Sequence, residues 1–103
     1  MITRVWSGWT ANGDDADDYE RLLRERVLPG LGVLQGFRGA NVLRRRAGDE
    51  FEFVVLTRFD SLENVRRFAG EDLEAAVIEP EARALLVRFQ ERVTHYETFL
   101  HDR

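Results

Sequence analysis

Thr94-His95-Tyr96-Glu97 sets an imidazole and a carboxylate two residues apart in a stretch that alternates as a strand. Residues two apart on a strand share a face at a separation of about 7 Å. Glu97 can therefore orient or charge-stabilise His95 as a general base where the two side chains lean together. His95 is the only histidine away from the C-terminus and titrates closest to neutral pH. The plainer alternative, which a lone histidine more often follows, is a core or interface imidazole satisfied by a backbone carbonyl. His101 is six residues on, roughly 20 Å of strand, so the two histidines cannot share a metal within one chain and no metal site is expected.

Arg4 and Trp6 share one face of the first strand-like run. A guanidinium beside an indole binds a phenolate or carboxylate while the ring stacks on an aromatic substrate. The alternative puts Trp6 in a dimer core and pairs Arg4 with an acid. Asn41 can donate to a substrate oxygen, and Tyr19 and Tyr96 can hydrogen-bond phenols, although each such residue is more often structural.

Other chemistries are closed by composition. The chain has no cysteine, which removes thiolate nucleophiles, zinc ribbons and disulfide scaffolds and fits a reducing compartment. All 15 basic residues are arginine, which removes lysine Schiff-base and general-base chemistry. A net charge of -4 has the wrong sign for neutralising phosphates, so nucleic acid is disfavoured. Gly30, Gly32 and Gly36 lack dinucleotide-loop spacing, and Phe51-Glu52-Phe53-Val54-Val55 lacks the basic-glycine-aromatic pattern of RNA-binding sheets. No apolar run approaches membrane-spanning length and no leader pattern opens the chain, so a cytoplasmic protein without membrane contact is expected.

The elements that must position these residues follow from periodicity. Ile2 to Thr10 reads as a strand punctuated by Asn12-Gly13. Asp14, Asp15, Asp17 and Asp18 suit a helix N-terminus better than a cation site, and Ala16, Tyr19, Leu23 and Val27 give a helical stripe over residues 14–28, ended by Pro29-Gly30. Phe37 to Arg46 and Glu50 to Phe59 form an antiparallel hairpin around Ala47-Gly48-Asp49, with Arg44, Arg45 and Arg46 paired to Glu50 and Glu52. Ser61 caps a second helix stopped by Gly70, and a further helical piece follows. Pro80 opens a last helix carrying Ala82, Leu85, Leu86 and Phe89, and Glu91 to Leu100 closes as a strand. The order is that of an α+β ferredoxin-like βαββαβ unit with an antiparallel sheet, one domain over residues 1–103.

Two helices cover only one sheet face, yet the strands carry apolar residues on both. In the third strand Phe51, Phe53, Val55, Thr57 and Phe59 oppose Glu52, Val54, Leu56 and Arg58; in the first, Trp6 and Trp9 point to opposite sides. A face of that kind is too apolar for a lone monomer, and a homodimer with sheets packed face to face, closed as a barrel, is expected.

Phe59-Asp60-Ser61 opening the second helix, Arg66-Arg67-Phe68-Ala69-Gly70 within it, and the run from Pro80-Glu81-Ala82 to Val93-Thr94-His95-Tyr96-Glu97 resemble the antibiotic biosynthesis monooxygenase superfamily of dimeric α+β barrels. The resemblance covers essentially the whole chain. It implies a homodimer with a pocket between each sheet and its helices, and a monooxygenase that oxidises an aromatic or phenolic small molecule without metal, flavin or other cofactor. His95, supported by Glu97, would deprotonate the phenol; the carbanion-like enolate would reduce dioxygen; Arg4 or Asn41 would stabilise oxyanion charge, with Trp6, Phe68 and Tyr96 completing the substrate site. The alternatives are a non-catalytic small-ligand-binding barrel and a cyclase or isomerase. The haem-degrading branch resembles itself in a strand-one Asn, a Trp on the helix after strand three and a His on the next helical segment. Here strand one has no Asn, Phe68 takes the helix position and residues 71–89 contain no histidine. The Trp that the aromatic-polyketide branch often carries near the end of strand three or on that helix is replaced by Phe59 or Phe68.

Overall fold

The computed structural model describes residues 1–102. The first strand, β1 (Ile2–Thr10), pairs antiparallel along its whole length with β3 (Glu50–Phe59), which pairs in turn with β2 (Phe37–Ala47) across a turn at Gly48. The other edge of β1 is shared: β4 (Leu86–Phe89) takes its C-terminal half and β5 (Thr94–Glu97) its N-terminal half. With strand order β2-β3-β1-β4 and helices on one face, the sheet is ferredoxin-like.

Asn12 starts the first helix. Its side-chain oxygen accepts from the Asp15 N–H at 2.8 Å, and Asp14 and Asp15 then meet the positive end of α1 (Gly13–Leu22). The helix does not stop at Leu28 as its Pro-Gly pair implies. It passes through a π-helical turn, Leu23–Val27, into α2 (Leu28–Gly32). Proline lacks one N–H, and Pro29 lies in the first turn of α2 just after the widened segment, where that loss is tolerated.

In α3 (Leu62–Ala69), Ser61 Oγ accepts from the Asn64 N–H at 3.3 Å and Gly70 leaves the helix at φ 90°, so both predicted ends hold. The helical piece expected after it is absent. Residues 71–79 run as an irregular arm that bridges to Arg92 through Ala75 and bonds residues 91–93 by Ala76 N–H to Glu91 O (2.9 Å) and Val93 N–H to Glu74 O (2.8 Å).

The last helix, α4 (Pro80–Leu85), is shorter than its apolar stripe suggests, because Leu86 and Phe89 belong to β4. The unpaired edge of Gly8–Thr10 has backbone groups to satisfy, and the ladder with β4 satisfies them. The final strand is likewise shorter than expected. Its first residues, 91–93, pair with the irregular arm instead, and Gln90 before them is fixed to β1: its N–H donates to Ser7 O (2.9 Å), its side-chain oxygen accepts from Ser7 N–H (3.1 Å), and its carbonyl accepts from Trp6 Nε1 (2.8 Å).

The core lies between the sheet and the helices, where Phe53, Phe59, Val65 and Ala16 are fully buried and Tyr19 packs edge-on to Phe53 with centroids 4.8 Å apart. Gly8 is required there, since the Trp6 indole lies over it and a Cβ would meet the ring at 2.5 Å. Alternation also explains the three arginines. Arg45 faces the open side and pairs with Glu52, whereas Arg44 faces the helices and bonds Asp17 (3.1 Å) and Glu20 (3.0 Å); Arg46 bonds Gly48 O. Glu50 pairs instead with Arg88 at 2.9 Å.

The opposite face of the sheet has no helix. Val5, Trp9, Val54 and Leu56 occupy its centre, with Leu43, Val87 and Tyr96 each about half exposed. Arg88 covers Trp9 with its guanidinium 4.4 Å from the ring centroid. No helix among the described residues is long and apolar enough to cross a membrane.

Candidate functional site

Between the helix-covered sheet face and the helices lies a cavity of about 340 Å³. Its floor is Arg4 and Trp6 of β1 with Val55 and Thr57 of β3; Phe68 of α3 forms one side, and Val77, Ile78 and Ala82 form another. The long helix supplies Tyr19, Leu23, Val27 and Leu31. These four are spaced by four residues, which in an α-helix of 3.6 residues per turn rotates each about 40° past the last. The wider π-helical turn absorbs the drift, so all four line one cavity. Arg26 and Glu79, both exposed, lie at the mouth, where Arg26 pairs with Glu81.

Arg4 is the charged group of the floor. It is only 4 % exposed, yet no carboxylate lies within 4.0 Å of it among the described residues, so the alternative in which Arg4 pairs with an acid does not occur. Its Nη1 donates to Leu73 O (2.6 Å), its Nη2 donates to Ala75 O (2.7 Å), and its Nη1 also meets His95 Nε2 at 3.0 Å. The guanidinium carbon stands 5.6 Å from the centroid of the Phe68 ring. Burial alone lowers the Arg4 pKa to about 10, which leaves it cationic at neutral pH. The irregular arm supplies the two carbonyls, and its pairing with residues 91–93 holds it beside β1.

His95 sits opposite Arg4 in the β1–β5 register. Since Arg4 can only donate, Nε2 is the acceptor and Nδ1 carries the ring proton. Burial, then the Arg4 charge, holds the imidazole below its ordinary 6.5, and Glu74 opposes them. Glu97 is exposed and no hydrogen bond joins it to His95, so the imidazole is partnered by a cation instead of the anticipated carboxylate. His95 stands behind Arg4 and is not among the residues of the cavity wall.

Arg4, Trp6 and Phe68 thus come together as the sequence suggests. Asn41 and Tyr96 do not join them. Asn41 faces the open side and accepts from Arg58 Nη1 at 2.7 Å. The cause is a bulge between Phe37 and Gly39, with Gly39 at φ 121°, which reverses the alternation of β2 after Phe37. Tyr96 pairs with Thr3 on that same open side, 56 % exposed.

Two hydroxyls complete the floor. Thr57 lies directly across from Arg4 in the β1–β3 ladder, and Tyr19 reaches in from α1; both are buried, and neither hydroxyl has a hydrogen-bond partner among the described residues. Burial raises the Tyr19 pKa, so its phenol stays protonated. Thr57 had no sequence signal beyond its position among the aromatic residues of β3.

No family model and no curated protein sequence matches this chain. Among solved structures it is similar to SnoaB, a cofactor-independent oxygenase from Streptomyces nogalater, with 17% identity, coverage of 97% of this chain and 95% of that one, and a TM-score of 0.67. A Deinococcus radiodurans protein provisionally assigned as an antibiotic biosynthesis monooxygenase matches at 14% identity over 100% of this chain and 97% of its own, with a TM-score of 0.68. The haem degrader MhuD from Mycobacterium tuberculosis, whose structure holds two haems in its active site, matches at 17% identity over 99% of each chain with a TM-score of 0.65. Over its whole length the chain therefore has the ferredoxin-like α+β fold of the antibiotic biosynthesis monooxygenase structures.

Proposed function

We propose that the chain is a monooxygenase that oxidises an aromatic or phenolic small molecule in this cavity without a cofactor, as a homodimer in the cytoplasm. One observation carries the reading: an apolar, aromatic-walled cavity has a buried guanidinium in its floor with no carboxylate to neutralise it. A cation so placed stabilises negative charge as it develops on a bound phenol. The cofactor-independent oxygenase among the structures with this fold supports the reaction class.

The chemistry would start with ionisation of the phenol beside Arg4. His95 is the nearest imidazole, and to take the proton its Nε2 must release Arg4 Nη1. The enolate would then pass electrons to dioxygen. Converting one ring CH₂ to a carbonyl uses all four oxidising equivalents of O₂, one oxygen atom entering the product and the other leaving as water. Tyr19 would donate to the developing oxyanion.

Oxygen uptake with a hydroxyanthrone is the test. Uptake in step with carbonyl product, abolished by Arg4→Met, is the expected result; binding of the hydroxyanthrone without uptake would overturn the oxygenase reading. A second reading, a ligand-binding barrel without catalysis, is favoured by the engagement of His95 Nε2 with Arg4, which leaves the inner wall without a free base.

A further inference from the structure

We propose that the cavity selects aromatic acids: a carboxylate on the ligand is taken by the Nε–Nη2 edge of Arg4 and by the Thr57 hydroxyl. This rests on the reading of the cavity as the substrate site and narrows it to a chemical class.

A guanidinium has five N–H donors. Arg4 makes three hydrogen bonds to protein acceptors, two through Nη1 and one through Nη2. The N–H on Nε and one on Nη2 remain without a partner among the described residues. These two atoms form one edge of the planar group, an edge that takes both oxygens of a carboxylate in parallel hydrogen bonds. Thr57, directly across the ladder, adds a hydroxyl that also has no partner, and directly opposed residues of an antiparallel pair have Cβ atoms about 5 Å apart.

The other Arg4 donors are held by the irregular arm and by β5, so the guanidinium is anchored and does not need to be ordered by the ligand. A buried cation that lacks an acid leaves its charge to be balanced by whatever occupies the cavity. The acids of the irregular arm do not serve: Glu79 is exposed at the cavity mouth, and Glu74 is exposed and paired with Arg92. Trp6 and Phe68 then flank the head group, and the apolar helix wall receives the rings.

The test is calorimetric titration of the wild-type protein with 2-naphthoate and with 2-naphthamide, which share shape but not charge. The acid is expected to bind at least about 10-fold tighter, the discrimination of a charge-assisted bidentate pair. Arg4→Met should bring the two within about 3-fold, and Thr57→Val should weaken only the acid, in keeping with loss of one hydrogen bond. Equal affinities in the wild type, or a preference for the acid that survives Arg4→Met, would overturn the inference while leaving the cavity as the aromatic site. Failure of both compounds to bind would overturn the inference and the cavity reading together. The wild-type comparison needs no variant to fold.

Discussion

Arg4 Nη1 stands 3.0 Å from Nε2 of His95, across the register that joins β1 to β5. A guanidinium has no acceptor, so the contact fixes the imidazole as neutral with its proton on Nδ1. In this arrangement the histidine holds the arginine, and the proposed role as base requires that Nε2 first be released.

Stability should fall as pH drops below 6.5, the ordinary histidine value, and the slope should persist until the folded-state imidazole itself protonates. The sign follows because the folded pKa is lowered: in that window the unfolded chain binds the proton and the folded chain does not. Arg4 and Glu74 are the charged groups that set this environment. Urea melts at pH 7.5, 6.5 and 5.5 measure the slope, and His95→Gln should flatten it.

Gly8→Ala should destabilise the protein by about 1–3 kcal/mol, the usual cost of overpacking. The added methyl would meet the Trp6 ring at 2.5 Å and push the indole toward the cavity floor. A lower melting temperature together with an altered near-ultraviolet tryptophan band is the expected pair of signals. An unchanged band would mean that the strand shifts instead.

Phe53→Ala should cost about 3–5 kcal/mol, as for other fully buried aromatic residues. Tyr19→Phe, by contrast, should change stability by less than about 1 kcal/mol, because no protein hydrogen bond is lost. The tyrosinate absorbance of Tyr19 should appear only with alkaline unfolding, since burial raises its pKa.

The open sheet face makes a separate prediction about assembly. Light scattering should give twice the 12.0 kDa of one chain. Val54→Glu, which places a charge among Val5, Trp9 and Leu56, should give the single-chain mass with its circular dichroism retained. A wild-type protein that runs at the single-chain mass would sink the dimer.

Alternation made the faces of β1 and β3 readable, and with them the company of Arg4 and Trp6. Asn41 carries no such signal: the bulge after Phe37 reverses the alternation of β2 and turns it to the open side, and a glycine at positive φ does not announce a bulge by itself. Leu86 and Phe89 fit a helical stripe equally well as a strand. A four-residue segment is decided by the ladder waiting on the edge of β1, which is tertiary information. His95 and Glu97 were correctly placed on one strand face. What sequence spacing could not supply was the guanidinium opposite the imidazole, which becomes its neighbour only after the chain folds back across a sequence separation of 91.

The widened turn at Leu23–Val27 puts part of the site under the control of chain length. Removing one residue there would leave Tyr19 and Leu31 eleven positions apart, about 20° from alignment in an ordinary helix at about 100° per residue, so Leu31 would stay on the wall. Straightening the turn with its length kept would instead carry Leu31 about 120° away from Tyr19, although no side chain facing the cavity had been altered. Among relatives of this protein, a one-residue gap in that turn should therefore leave the lining in place, and an alignment that reads the gap as a loss of the wall would mislead.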